Sequence, residues 1–141
     1  VTQDLERLEY EEEFVPDVIV IDYIDILAPE DKRLEYRHRI DELWKMAKSL
    51  AATRHALVLT ATQTNKQAGT KQNVTAQDVA EEGRKLGHVD VMVALNQEEE
   101  EKEQGVMRIS VVMHRHRMCS KYRQVTVLQN LSLGQVVLDS Q

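Results

Sequence analysis

Aromatic side chains are scarce, at 4% of 141 residues, with a single Trp and a single Phe. Without large rings, a core has to be assembled from Val, Ile, Leu, Ala and Met. One cysteine, Cys119, excludes an internal disulfide and with it the stapled secreted class. A reducing cytoplasm is the natural compartment for such a chain. No apolar run approaches the roughly 18–20 residues that a membrane helix needs, so no membrane partner is expected. The N-terminus lacks the basic-then-apolar pattern of a secretion signal. It opens on Val1 rather than Met, which reads as a piece of something longer.

What is present is ordinary for a soluble globular protein, 42% hydrophobic and 30% charged. The length suits one domain, burying roughly 68–70% of its unfolded surface. The net charge is −6 and the pI about 5.4, a balance that taken alone argues against nucleic-acid binding. Distribution matters more than the sum. Acid concentrates in Glu11–Glu13 and Glu98–Glu101, and base in His114–Arg117 with Lys121 and Arg123. A local basic patch can serve phosphate on a protein that is acidic overall.

Leu5, Leu8 and Phe14 fit a short amphipathic helix over residues 1–14, broken by Pro16 and Asp17. Val18 to Ile21 form a continuous β-branched run, which reads as a strand buried on both faces. Asp31 is placed to cap a helix from about Lys32 to Thr53, with its apolar stripe at Ile40, Leu43, Trp44, Ala47, Leu50 and Ala51. Ala56 to Ala61 give a second buried strand, and Lys66 to Val74 a polar loop. Thr75 to Leu86 look helical, with Thr75 as cap and Asp78 three residues on. Val89 to Leu95 make a third strand, and the acidic stretch Gln97–Gly105 a surface turn. Val106–His114, Tyr122–Gln129 and Val136–Asp139 read as further strands joined by short links. Strand–helix–strand alternation predicts an α/β fold, mainly a parallel sheet flanked by helices, with an antiparallel C-terminal extension. Ligands of open sheets bind at the carboxyl ends of the strands.

Two strand ends carry chemistry. Asp22 directly follows the first β-branched strand. There a carboxylate can orient Mg²⁺, usually through water, because the ion keeps much of its hydration. The same position also serves as a helix cap or loop anchor in many α/β proteins, and on the residue alone both readings stand. The second strand runs into Thr62-Gln63-Thr64-Asn65-Lys66. Gln63 can hydrogen-bond a γ-phosphate or an attacking water, or simply tie down its own loop.

Taken together the segments resemble the DnaB-type replicative helicases. Val18-Ile19-Val20-Ile21-Asp22-Tyr23 is similar to that family's Walker B strand, with its Ile-Asp-Tyr triplet. Thr62 to Lys66 resembles the next strand end, a polar residue and Gln followed by Asn and a basic residue. Asp78-Val79-Ala80-Glu81-Glu82-Gly83 resembles the Asp-Leu-Arg-Glu-Ser-Gly segment that opens a DNA-contacting loop, and His88 to Met92 the stretch that leads into the next strand. The resemblance covers roughly residues 16–140 in order. It implies a RecA-like ATPase core, one partial domain over residues 1–141, and ATP with Mg²⁺ bound between subunits of a homo-oligomeric ring, a hexamer. It also implies single-stranded DNA as partner and the cytoplasm of a bacterial or phage-infected cell. Asp22 would orient the metal and Gln63 would sense the γ-phosphate. Lys66, Gly83, Arg84 and Lys85 would lie toward DNA.

In His114-Arg115-His116-Arg117 the family carries Lys-X-Arg, which reaches across to a neighbour's γ-phosphate. Arg117 matches the Arg and Arg115 the Lys, and the register also admits His114 at the Lys position. A solvated basic loop is the plainer reading, and for Arg84 and Lys85 the plainer reading is cations suited to the end of a helix. The sequence departs from the family at Ala80, where an Arg contacts DNA, and at Met118-Cys119-Ser120, where Gly and Pro follow the Arg. No G-x-x-x-x-G-K-[ST] phosphate loop occurs. The chain is therefore expected to be the C-terminal portion of an ATP-dependent helicase or translocase and inactive alone. A RecA- or KaiC-like ATPase with another role, and a non-catalytic module of the same fold, are the competing readings.

Overall fold

The computed structural model describes residues 1–27, 36–64, 73–79, 85–118 and 123–140. The chain falls into two compact units, Val1–Gln63 and Thr64–Gln141. The expected cap Asp31, the loop cation Lys66, Gly83, Arg84 and Cys119 lie outside the described residues.

The first unit is built on one parallel pair. Helix α1 (Thr2–Glu12) buries Leu5 and leaves Phe14, beyond its end, 53% exposed. Strand β1 (Val18–Ile21) pairs in parallel with β2 (Leu57–Thr60), with Ile19 opposite Val58 and Ile21 opposite Thr60. Parallel strands need a crossover, usually helical, and α2 (Tyr36–Arg54) lies on it. Its buried stripe is Ile40, Leu43, Trp44, Ala47 and Leu50, the helical spacing legible in the sequence. An ion pair between Arg54 and Glu9 ties the end of α2 to α1.

The strands are not buried on both faces as expected. Ile19 and Ile21 are buried, while Val18, Val20, Leu57 and Leu59 are each more than half exposed. Successive side chains point to opposite faces, and among the described residues only one face of the pair is covered.

The second unit is an antiparallel sheet in the order β3-β4-β5-β6, formed by Val91–Asn96, Val106–His114, Gln124–Asn130 and Gln135–Ser140. The expectation of a mainly parallel sheet is thereby corrected. Among the described strands one pairing is parallel and three are antiparallel. The reason is connection length: β3 reaches β4 through one short helical turn, too short for a crossover. That turn is α3 (Glu99–Glu103), a helix where the acidic run reads as an irregular surface turn. A capping box makes it, with Glu101 accepting from the Glu98 N–H at 2.8 Å. Gly105 follows at φ +68, where an added Cβ would sit 2.5 Å from the Gln129 carbonyl oxygen. The predicted helix over 75–86 is described as two short pieces, Ala76–Val79 and Lys85–His88. Asp78 accepts from both the N–H and the hydroxyl of Thr75, the cap expected there. No helix among the described residues is long and apolar enough to cross a membrane.

Arg108 of β4 holds this unit's turn. It is 7% exposed, with Nε 2.6 Å from Glu101 Oε1 and a terminal nitrogen donating to Glu101 Oε2 at 3.0 Å. Its other terminal nitrogen donates to Asn73 Oδ1 at 2.8 Å. The Arg108 guanidinium, and after it the Glu98 backbone N–H, hold the Glu101 carboxyl below the usual carboxylate range. A depressed folded-state value stabilises the fold above the unfolded carboxylate value, about 4.3, and that stability is lost as pH falls through the folded value. Glu101→Gln is expected to cost about 1.5–3 kcal/mol near neutral pH, the usual range for hydrogen bonds to a charged group. Denaturant midpoints of the two proteins should converge below about pH 4. A gap that persists at pH 3, or none at pH 7, would show that the pair contributes nothing.

Candidate functional site

Asp22 and Gln63 lie one and three residues beyond the same end of the parallel pair, which closes at Ile21 opposite Thr60. Both are exposed, and among the described residues no hydrogen bond or ion pair engages the Asp22 carboxylate. It is thus accessible to a hydrated cation. An exposed acid at a strand's carboxyl end suits Mg²⁺, which takes few protein ligands and keeps waters. The Asp22–Tyr23 peptide bond is cis.

Three residues that the sequence reading gave no role hold these ends in place. Thr60 Oγ1 donates to the Ile21 carbonyl oxygen at 2.8 Å and accepts from the Ile24 N–H at 3.0 Å. It therefore closes the chain on both sides of Asp22 and Tyr23. Asp25 accepts at one carboxylate oxygen from Thr62 Oγ1, at 2.5 Å, and at the other from Trp44 Nε1, at 3.0 Å. Trp44 is 4% exposed, and a buried indole N–H needs an acceptor. Thr60 and Thr62 sit two apart on β2 and its continuation, the spacing that sends side chains to one face of a strand. That spacing, with an acid three residues after Asp22, is the signal the sequence offered.

The basic segment lies in the second unit, in the turn after β4. Its two arginines are placed differently. Arg115 Nε donates to Asp90 Oδ1 at 3.0 Å, and one terminal nitrogen donates to the carbonyl oxygens of Gly87 at 2.7 Å and Val89 at 3.0 Å. Its backbone N–H donates to the Asp90 carbonyl oxygen at 2.7 Å. Arg117 is exposed two residues on. His114 and His116 meet edge to face with ring centroids 6.4 Å apart, and the His116 N–H donates to His114 Nδ1 at 3.2 Å. No group of three or more His, Cys, Asp or Glu side chains placed to hold a metal occurs among the described residues. Of the four residues expected near DNA only Lys85 is described, and it is buried, at 6% exposure. The structure thus brings Asp22 and Gln63 to one edge and places the basic turn in the other unit.

No family model matches the sequence, and no curated protein matches it. Solved structures do match. One is the ATPase domain of a DnaB-like helicase, at TM-score 0.79 and 18% identity, covering 98% of this chain and 51% of that one. Another is a DnaB-like replicative helicase described with its interactions with primase, at TM-score 0.76 and 15% identity, covering 91% of this chain and 32% of that one. The chain shares the fold of these helicase structures and spans about half or less of their length.

The Arg115 contacts generate a local expectation. Both partners are close to half exposed, so the ion pair itself is worth little, up to about 1 kcal/mol. Arg115→Ala should leave the global unfolding midpoint nearly unchanged. Amide exchange in Val89–Val91 and His114–Arg117 should accelerate, by up to about fivefold for that energy. Unchanged exchange in both stretches would mean that the guanidinium holds nothing.

Proposed function

We propose that the chain is the C-terminal portion of an ATP-dependent DNA helicase or translocase motor with a RecA-like core, working as a homo-oligomeric ring, a hexamer. The observation that carries the proposal is the common placement of Asp22 and Gln63 past one end of the parallel pair, in a fold shared with helicase ATPase domains. In this reading Asp22 holds the metal through water and Gln63 hydrogen-bonds the γ-phosphate or the attacking water. Mg²⁺, when bound with ATP, neutralises charge on the phosphate oxygens. The Thr60 and Asp25 contacts keep both side chains from wandering, and positioning is most of what phosphoryl transfer asks of a protein.

Arg117 acts in trans, on the nucleotide of a neighbouring subunit, because a head-to-tail interface repeated by rotation puts each subunit's arginine on the next subunit's site. Arg115, engaged by Asp90 and two carbonyls, supports the turn and adds less to phosphate. Lys66, Gly83 and Arg84 face single-stranded DNA, whereas the burial of Lys85 argues against an equal part for it. The absence of a phosphate loop assigns the phosphate cradle to sequence outside this chain, so the chain alone does not turn over ATP. The uncovered apolar face of Val18, Val20, Leu57 and Leu59 supports the view that it is one part of a larger domain.

In the full-length protein, Asp22→Asn and Gln63→Ala should each lower turnover by roughly 10²-fold or more, as lost electrostatic stabilisers do. Folding should survive, since both residues are exposed. Arg117→Ala should lower turnover by about 10³-fold or more. Mixing Arg117→Ala subunits with Asp22→Asn subunits should restore part of the activity, because some interfaces then pair an intact Arg117 with an intact Asp22. If Asp22→Asn and Gln63→Ala both turn over normally, the nucleotide site is misassigned. If mixed rings form and stay inactive, Arg117 does not act in trans.

A further inference from the structure

We infer that Thr60 is a positioning residue for the metal-facing carboxylate, and that the Thr62–Asp25 contact does the same for Gln63. This rests on the reading of Asp22 and Gln63 given above and adds the parts that aim them.

The argument is geometric. Asp22 sits in a two-residue excursion between Ile21, the last residue of β1, and Ile24. One hydroxyl, from the neighbouring strand, bonds the carbonyl before that excursion at 2.8 Å and the N–H after it at 3.0 Å. A hydroxyl has one proton to donate and lone pairs to accept, so a single Thr can satisfy both backbone groups at once. The Asp22 backbone is then fixed relative to β2, the strand that leads into Gln63. Two residues on, Thr62 bonds Asp25, whose second oxygen is held by the buried Trp44. The loop carrying Asp22 and the strand end carrying Gln63 are therefore bolted together twice, once through backbone and once through a carboxylate. The two bolts have separable consequences. Loss of the first frees Asp22 and should appear in metal binding. Loss of the second frees the residue before Gln63 and should appear in turnover with metal binding intact.

The test uses the full-length protein with Thr60→Val, Thr60→Ser and Asp25→Asn. Three quantities are measured well below the unfolding temperature: Mn²⁺ binding by electron paramagnetic resonance with a non-hydrolysable ATP analogue, the Mg²⁺ dependence of turnover, and amide exchange at Ile24. Thr60→Val should weaken Mn²⁺ binding roughly tenfold or more, the usual effect of losing a group that orients a metal ligand. It should raise the Mg²⁺ needed for half-maximal turnover in parallel and speed exchange at Ile24. Thr60→Ser, which keeps the hydroxyl, should restore all three. Asp25→Asn should lower turnover about tenfold with Mn²⁺ affinity near that of the parent, as expected of a misplaced catalytic group. If Thr60→Val is too unstable to assay, Thr60→Cys keeps the volume and a weaker hydrogen-bonding group and should show the same pattern at smaller size. Wild-type Mn²⁺ affinity in Thr60→Val or Thr60→Cys, with Asp22→Asn inactive in the same assay, overturns the inference and leaves the nucleotide site standing. Normal turnover in Asp22→Asn overturns the nucleotide site and this inference with it.

Discussion

The Thr60 hydroxyl lies between two backbone groups of another strand's loop, donating to the Ile21 carbonyl and accepting from the Ile24 N–H. The rest of the candidate site depends on it. A short loop at a strand end has to find partners for its peptide groups, since a buried group left unpaired costs free energy comparable to a lost hydrogen bond. Water can do this for an exposed loop, but then the loop has no fixed place. A side chain from the paired strand gives it one. Because Ile21 and Thr60 are register partners, the same pairing that makes the sheet also delivers the hydroxyl. Sheet and site are in this sense one construction, and the exposed Asp22 can be accessible and held at once.

The second unit is organised by a charge in place of a hydroxyl. Arg108 is nearly buried on β4 and gathers Glu101 and Asn73 from two separate stretches. Helix α3 is hard to read from sequence for this reason. Glu98 to Glu103 has no apolar periodicity to mark a helix, and an acidic run usually means solvated surface. What makes it helical is a reciprocal cap between Glu98 and Glu101 and a cation from the next strand. The cap has a sequence pattern, but the partner is known only once β4 folds back beside it.

The strands were legible because Val18–Ile21 and Val106–His114 are rich in β-branched and other apolar residues, and α2 because its apolar stripe repeats at helical spacing. Their surroundings were not. Four consecutive β-branched residues look the same whether one face is covered or both, so the exposure of Val18 and Val20 could not be inferred. The sheet's sense also depends on connections. β1 and β2 are joined through α2 and run parallel, whereas the link over Gln97–Gly105 is compact and turns the chain back. The motif positions Asp22 and Gln63 were readable as types at strand ends. Thr60 and Asp25 were not, because their importance lies in a contact across 39 residues for Thr60 with Ile21 and 37 for Thr62 with Asp25.

The basic turn shows how equal charge can conceal unequal use. His114-Arg115-His116-Arg117 reads as one strip of positive charge, and resemblance pairs Arg115 with a lysine. A lysine ammonium is a compact charge on a flexible stem, whereas a guanidinium is a planar fork that reaches several acceptors at once. At position 115 the fork is used in that way, on Asp90 and the carbonyls of Gly87 and Val89. An arginine so matched has less to offer a distant phosphate, since leaving Asp90 would forfeit several hydrogen bonds before any were made elsewhere. Within the proposed ring this moves the trans role two residues on, to Arg117. The hold that Arg115 keeps on the turn, more than the sum of basic charge, then decides how well Arg117 is presented.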